Sequence, residues 1–318
     1  MTGPFSEFMQ TIDVIIPTYR PDDKFYKLLL SLKRQTIPAR RIIVYNTEES
    51  LFTPFAAKYD LAKEFPNLQV FHHDKKEFDH GRTRNLGVSE SDADIFVMMT
   101  MDAMPADDGL IEKLYEALQK PEVAVAYARQ LPDEEAGEIE RFTRQFNYPP
   151  ESVLKTKADE DRLGIKTYFC SNVCAAYKRS IFEELGGFID HTIFNEDMIY
   201  AAKAVAAGYA ISYAAEAKVI HSHNYTAREQ FHRNFDLGVS QAEHPEVFGR
   251  LKSESEGIRL VKLTAGHLFG RKKYGELVRL VTTSAAKFIG YRFGKNFRRL
   301  PKWFVLKCSM NKEYFCNS

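Results

Sequence analysis

Short β-branched runs alternate with amphipathic stretches from the start of the chain. Ile12-Asp13-Val14-Ile15-Ile16-Pro17 is such a run, stopped by proline, and predicts a buried strand. Apolar residues then recur at helical spacing from Phe25 to Gln35, and Arg41 to Tyr45 forms a second short strand pattern. A helix near Pro54–Phe65, a strand at Leu68–His72, a helix over about Gly81–Glu90 and a strand ending at Asp102 continue the alternation. Alternation of this kind predicts an α/β domain with a mostly parallel central sheet flanked by helices. Pro132 to Gly164 is rich in charge, proline and aromatics, and reads as a long irregular segment with some helix, a common form for a functional lid. Beyond about Thr226 the strand patterns stop, and helical ones run through Val261–Phe269 and Tyr274–Phe288. No internal repeat interrupts the chain.

Ligands of such sheets bind beyond the carboxyl ends of the strands. Pro17-Thr18-Tyr19, Asn46-Thr47-Glu48 and Asp102 all fall there. Asp102 is a lone carboxylate after the apolar run FVMMTM, so it is either a turn acid facing water or a carboxylate aimed at a bound cation. Three further clusters carry chemistry. Asn195-Glu196-Asp197 opens a helical stretch, where the helix dipole favours acids as plain caps or as functional groups. In Val219-Ile220-His221-Ser222-His223, strand alternation would turn both imidazoles to one face. In FDHGRTRN, Asp79, Arg82 and Arg84 lie at the start of a helix, a setting suited to phosphate.

Composition changes the picture in one respect. The 318-residue chain has 44% hydrophobic and 27% charged residues, ordinary for a globular protein with a full core. Its net charge of +1 conceals a division. From Ile258 onward there are 14 Lys and Arg against 2 acids; the remainder has 30 basic and 41 acidic residues. An acidic body with a basic, aromatic tail suits an anionic membrane surface, whereas nucleic acid fits an acidic body poorly. No stretch approaches the roughly 20 apolar residues of a spanning helix, and no signal peptide is evident at the N-terminus. Four cysteines at C-x3-C and distant spacings make a poor zinc or disulfide framework, so they are read as reduced thiols in a cytosol.

Taken together, the motifs make the chain resemble GT-A glycosyltransferases of the large inverting family 2. The resemblance covers about Ile12 to Tyr225 and rests on VIIPTYR, the strand-end acid, SNVCAAYKRSIFEELGGF, the NED triplet and the histidines that follow. FDHGRTRNLG, the MDA form of the metal motif, HSHNYT and the tail GYRFGKNFRRLPKWF are similar to bacterial rhamnosyltransferases that use dTDP-L-rhamnose. It implies a Rossmann-like GT-A catalytic domain over residues 1–225 and a basic helical extension over 226–318 that meets a membrane.

The site residues implied by the resemblance are specific. The family's Asp-x-Asp metal motif keeps only its last acid here, in Thr100-Met101-Asp102. Asp102 with His221, or with His223 as second choice, would hold Mn²⁺ or Mg²⁺, and an imidazole ligand favours manganese. Asp197 stands in the place of the general base, with Glu196 orienting the acceptor or the helix start. Pro17, Thr18, Arg20, Asn46, Glu48, Asp79, Arg82, Met101 and Asp102 would hold the nucleotide sugar. The partners implied are dTDP-rhamnose and a glycan or lipid-linked glycan acceptor at the cytoplasmic face of the cell membrane, with a homo-oligomer left open. The alternatives are another donor on the same fold, UDP-galactose or UDP-N-acetylglucosamine, and a catalytically inactive glycan-binding homologue.

Overall fold

The computed structural model describes residues 10–249 and 254–316. Its centre is a nine-stranded mixed sheet. The strands are β1 (Ile12–Tyr19), β2 (Arg41–Thr47), β3 (Leu68–His73), β4 (Ile95–Met99), β5 (Met104–Pro105), β6 (Val123–Leu131), β7 (Val153–Lys155), β8 (Cys174–Lys178) and β9 (Ala210–Ile220). Their order is β3-β2-β1-β4-β8-β6-β9-β5, with β7 also paired to β9. The first four positions are parallel; β8 runs antiparallel to both β4 and β6, while β6 and β9 are parallel.

Successive residues of β1 are buried on opposite faces. Val14 and Ile16 join one core with Val44, Val97 and Met99, while Ile15 joins the other with Ile43, Phe96 and Met98. Burial on both faces is why these strands read as continuous apolar runs rather than alternating ones.

Two strand ends differ from the sequence expectation. β4 stops at Met99, and Thr100–Ala103 forms a turn closed by the Ala103 N–H on the Thr100 carbonyl at 3.1 Å. β9 stops at Ile220, so His221 and His223 lie in the loop beyond it rather than on the strand. The segment read as irregular with some helix holds the helix Glu138–Asn147 and, beyond that expectation, the strand β7. The single helix expected near Pro54–Phe65 is two, Glu49–Lys58 and Leu61–Glu64, parted at Asp60 in the left-handed region.

After the histidines, Thr226 and Glu229 form a capping box that starts the helix Ala227–Glu243. This helix crosses Tyr274–Lys295 at glycines. A Cβ on Gly290 would lie 2.2 Å from the Phe231 carbonyl oxygen, and one on Gly294 would lie 2.0 Å from that of Phe235. Glu254–Gly270 and Lys302–Cys308 complete the C-terminal helices. Among the described residues, no helix is long and apolar enough to cross a membrane.

Candidate active site

Strand pairing brings Asp102 to the histidines. β5 pairs antiparallel with the end of β9, Met104 opposite Ile220, so the turn before β5 lies beside the loop after β9. Asp102 Oδ1 is 3.6 Å from His221 Nε2, and Oδ2 is 3.3 Å from His223 Nε2. The two Nε2 atoms are 3.1 Å apart.

The donor set decides what can sit there. His221 Nδ1 is 3.1 Å from Gln130 Oε1, an atom that only accepts, so the ring donates from Nδ1. With Nδ1 so engaged, Nε2 is the atom that faces His223 Nε2 and the Asp102 carboxylate; it donates there while the ring is protonated and offers a lone pair once that proton is lost, as to a bound cation. Burial, then the charge of His221, pushes His223 down to about 4. Burial acts to raise Asp102, but the hydrogen bond and charge of His221 outweigh it and hold the carboxyl well below its usual range. Two imidazole nitrogens and an ionised carboxylate within 4.8 Å of one another fit a divalent cation. Both histidines belong to this cluster, where one was expected to suffice.

Gln130 is itself held: its Nε2 donates to Ser171 Oγ at 3.0 Å, and Arg144 donates to its Oε1. The first of these ties the histidine side of the site to the loop before β8, whose next residue, Asn172, reaches the acids of the NED triplet.

Asp197 and Glu196 are the first residues of the helix Glu196–Ala206. Asp197 accepts from the Asn172 N–H at 2.9 Å and from the Met198 N–H at 2.8 Å. Glu196 accepts from Asn172 Nδ2 at 3.0 Å and pairs with Arg84 at 3.2 Å, both deeply buried. Burial and the neighbouring Glu196 charge push Asp197 up to about 7, and the two backbone donors only partly offset this. The dipole at the helix start therefore does not dominate its ionisation. For Glu196, Arg84 and then His80 outweigh the cost of burial and lower its proton affinity. Asp102, His221, His223, Gln130, Glu196 and Asp197 line one cavity of about 460 Å³.

Apart from Asp102, the expected nucleotide residues lie outside that wall, along the carboxyl edge of the parallel strands. Tyr19 at the end of β1 is in register with Thr47 at the end of β2. Thr18 Oγ1 donates to Asn46 Oδ1 at 3.0 Å, and Asn46 Nδ2 donates to the Glu48 carbonyl at 3.1 Å. Arg20 and Glu48 follow their strands with φ of 53° and 69°. Pro17 and Met101 are half-buried, and Arg82 is exposed. Asp79 is engaged by backbone: Oδ1 accepts from Gly81 and Arg82, and Oδ2 accepts from Thr192 at 2.9 Å.

Sequence reasoning gave no role to Gln130, a single polar residue outside any motif, or to Asn172, which lies in the quoted SNVCAAYKRSIFEELGGF but was not singled out. It also missed Arg144, Arg233 and Lys287, which bring cations to the cavity wall.

Known proteins resemble this chain in sequence and in fold. The profile described as "Glycosyl transferase family 2" matches residues 13–186. The chain is 42% identical over 311 residues to O-antigen chain rhamnosyltransferase RfbN of Salmonella typhimurium, covering 96% of each chain. It is 37% identical over 314 residues to O-antigen chain rhamnosyltransferase WbaN of Salmonella anatum, covering 97% of each. Among solved structures, mannosyltransferase PcManGT from Pyrobaculum calidifontis, in complex with GDP-Man and Mn²⁺, superposes with a TM-score of 0.57 at 16% identity. That match covers 97% of this chain and 86% of the other, and indicates a shared fold.

Proposed function

The chain belongs to glycosyl transferase family 2, and on that premise we propose that it transfers L-rhamnose from dTDP-β-L-rhamnose to a glycan or lipid-linked glycan, with inversion at the anomeric carbon. Residues 1–225 form the catalytic domain in this reading, and the basic helical region 226–318 lies against a membrane at its cytoplasmic face. The donor reading is supported by the two rhamnosyltransferase relatives, which align along nearly the whole chain.

The observation that carries the mechanism is that Asp197 and the Asp102–His221–His223 cluster share one cavity. Asp197 takes the proton from the acceptor hydroxyl. The freed oxygen attacks the anomeric carbon opposite the nucleotide, forming the new glycosidic bond as the carbon–phosphate-oxygen bond breaks and dTDP leaves. A base whose affinity for protons is raised to about 7 is well matched to this task near neutrality. Glu196 sustains that affinity by its charge, and Asn172 orients both acids. Asp102, His221 and His223 hold the divalent cation, Mn²⁺ in preference to Mg²⁺ because two ligands are imidazoles. When bound, the cation offsets charge on the departing diphosphate.

Pro17, Thr18, Arg20, Asn46, Glu48, Arg82 and Met101 hold the nucleotide sugar, and Asp79 shapes that edge through the backbone groups it accepts from. Membrane contact is supported by exposed Val278, Val281, Phe288 and Trp303 on basic helices.

The test is release of nucleoside diphosphate from dTDP-L-rhamnose, UDP-galactose and UDP-N-acetylglucosamine with Mn²⁺ present. Turnover of dTDP-L-rhamnose alone is expected. Turnover of a UDP-sugar with dTDP-L-rhamnose inert would reject the donor, and three inert donors would reject the enzyme reading.

A further inference from the structure

A second large recess lies on the far side of Lys287 from the catalytic cavity. Its volume is about 610 Å³, and it runs between the helices Ala227–Glu243, Glu254–Gly270 and Tyr274–Lys295. Ile139, Leu237, Leu260, Val261, Leu280 and Phe288 give it a predominantly apolar wall. Phe288 and Ile258 at its rim are 58% and 57% exposed, so apolar surface continues outward to solvent.

The two recesses meet at a cation. Lys287 lines both. Arg233 stands in the wall of the catalytic cavity with its guanidinium carbon 4.7 Å from the Phe194 ring centroid and 5.6 Å from that of Tyr225. Among the described residues, neither Arg233 nor Lys287 has a carboxylate partner at ion-pair distance, whereas Arg144 beside them is paired with Glu140 at 2.7 Å. Two unpaired cations between a polar cavity and an apolar groove match a molecule with sugar at one end, phosphate in the middle and hydrocarbon at the other.

We infer that the groove takes the hydrocarbon chain of a diphosphate-linked acceptor, with its diphosphate between Lys287 and Arg233 and its sugar directed into the catalytic cavity. The inference rests on the proposed glycosyl transfer and assigns the acceptor's lipid to a site on the chain itself rather than leaving it in the bilayer. The place of Lys287 in the walls of both groove and cavity, and the charge there, favour this occupant over bulk lipid or a second copy of the chain.

Farnesyl diphosphate is the probe, with farnesol and inorganic diphosphate as its separate halves. Calorimetry on the full chain is expected to show farnesyl diphosphate binding at least about tenfold tighter than either half. Ser284→Trp, which fills the groove, and Lys287→Met should each weaken it about tenfold, with circular dichroism unchanged. Val261→Trp, from the helix Glu254–Gly270, serves as an independent groove variant if Ser284→Trp does not fold. Binding no tighter than that of the halves, or unaltered in folded groove variants, would overturn the inference. So would a groove variant that lost only flotation with phosphatidylcholine–phosphatidylglycerol vesicles, or only self-association in sedimentation, since bilayer or second copy would then be the occupant. Hydrolysis of dTDP-L-rhamnose by the unaltered chain reports on the donor separately, so failure of that reading is distinguishable.

Discussion

Asn172 donates its backbone N–H to Oδ2 of Asp197 at 2.9 Å, a bond that fixes the carboxylate against the catalytic cavity. Its side-chain amide holds Glu196 Oε1 at 3.0 Å, so one residue anchors two adjacent acids. Their proximity has a kinetic consequence. With burial and Glu196 pushing Asp197 up to about 7, only part of this carboxyl is ionised at neutrality. Transfer is expected to rise with pH through about 7. In Glu196→Gln the neighbouring negative charge is gone and Arg84 is left without its partner. Both changes favour the Asp197 carboxylate, so the acid limb of kcat/KM should move to lower pH. An acid limb that stays in place would separate Asp197 from the titration. Asp197→Asn should lower transfer by at least about 100-fold, the usual contribution of a general base, with donor affinity retained in calorimetry.

The same shift predicts a stability change of definite sign. A carboxyl whose proton affinity is raised by folding makes the folded state bind protons more tightly, so stability falls as pH rises from the ordinary carboxylate range through about 7. Asp197→Asn removes that ionisation. At pH 8 the variant is expected to melt at a higher temperature than the unaltered chain, with the difference shrinking as pH approaches 4. A difference independent of pH would mean that Asp197 is not strained by its charge.

Gln130 tests the metal cluster from its outer side. By accepting from His221 Nδ1 it directs the Nε2 lone pair toward Asp102 and His223. Partners of this kind commonly contribute 10–100-fold, in order of magnitude, to metal affinity. Gln130→Ala should weaken Mn²⁺ binding by about that factor, read by electron paramagnetic resonance of free Mn²⁺. Asp102→Ala should abolish the metal-dependent part of nucleotide affinity, so that chelator no longer changes the calorimetric result. Nucleotide affinity in Asp102→Ala that still falls on adding chelator would place the metal elsewhere.

Much of the fold was legible because its strands are buried on both faces and stand out as β-branched runs; β1 and β2 begin where Ile12 and Arg41 suggested. The metal cluster was legible in residue type but for a partly mistaken reason. His221 and His223 share a direction in a loop, set by the pairing of Met104 with Ile220 rather than by strand alternation. Proton affinity at Asp197 was not legible, because the helix dipole is local and visible in sequence, whereas burial is created by distant segments. Gln130 and Asn172 were invisible for the same reason: each acts through one tertiary hydrogen bond. Arg233 and Lys287 reach the cavity only through the crossing of two helices whose contact points are glycines.

That crossing yields opposite expectations for the same substitution. Within a helix, glycine to alanine ordinarily stabilises by up to about 1 kcal/mol. Gly266, in the helix Glu254–Gly270, has nothing within 4 Å of an added Cβ, and Gly266→Ala should stabilise by up to about that amount. At Gly294 the added carbon would lie 2.0 Å from a backbone oxygen, which no rotamer change can relieve. Overpacking of that severity costs about 1–3 kcal/mol or more and outweighs the propensity gain. Gly294→Ala should therefore lower the urea midpoint while Gly266→Ala raises it, each with an unchanged slope. Because the crossing helices carry Arg233 and Lys287, Gly294→Ala should also weaken acceptor use more than donor hydrolysis. A Gly294→Ala chain at least as stable as the original would mean that the helices part readily, and that the cations they present to the cavity are not held in place.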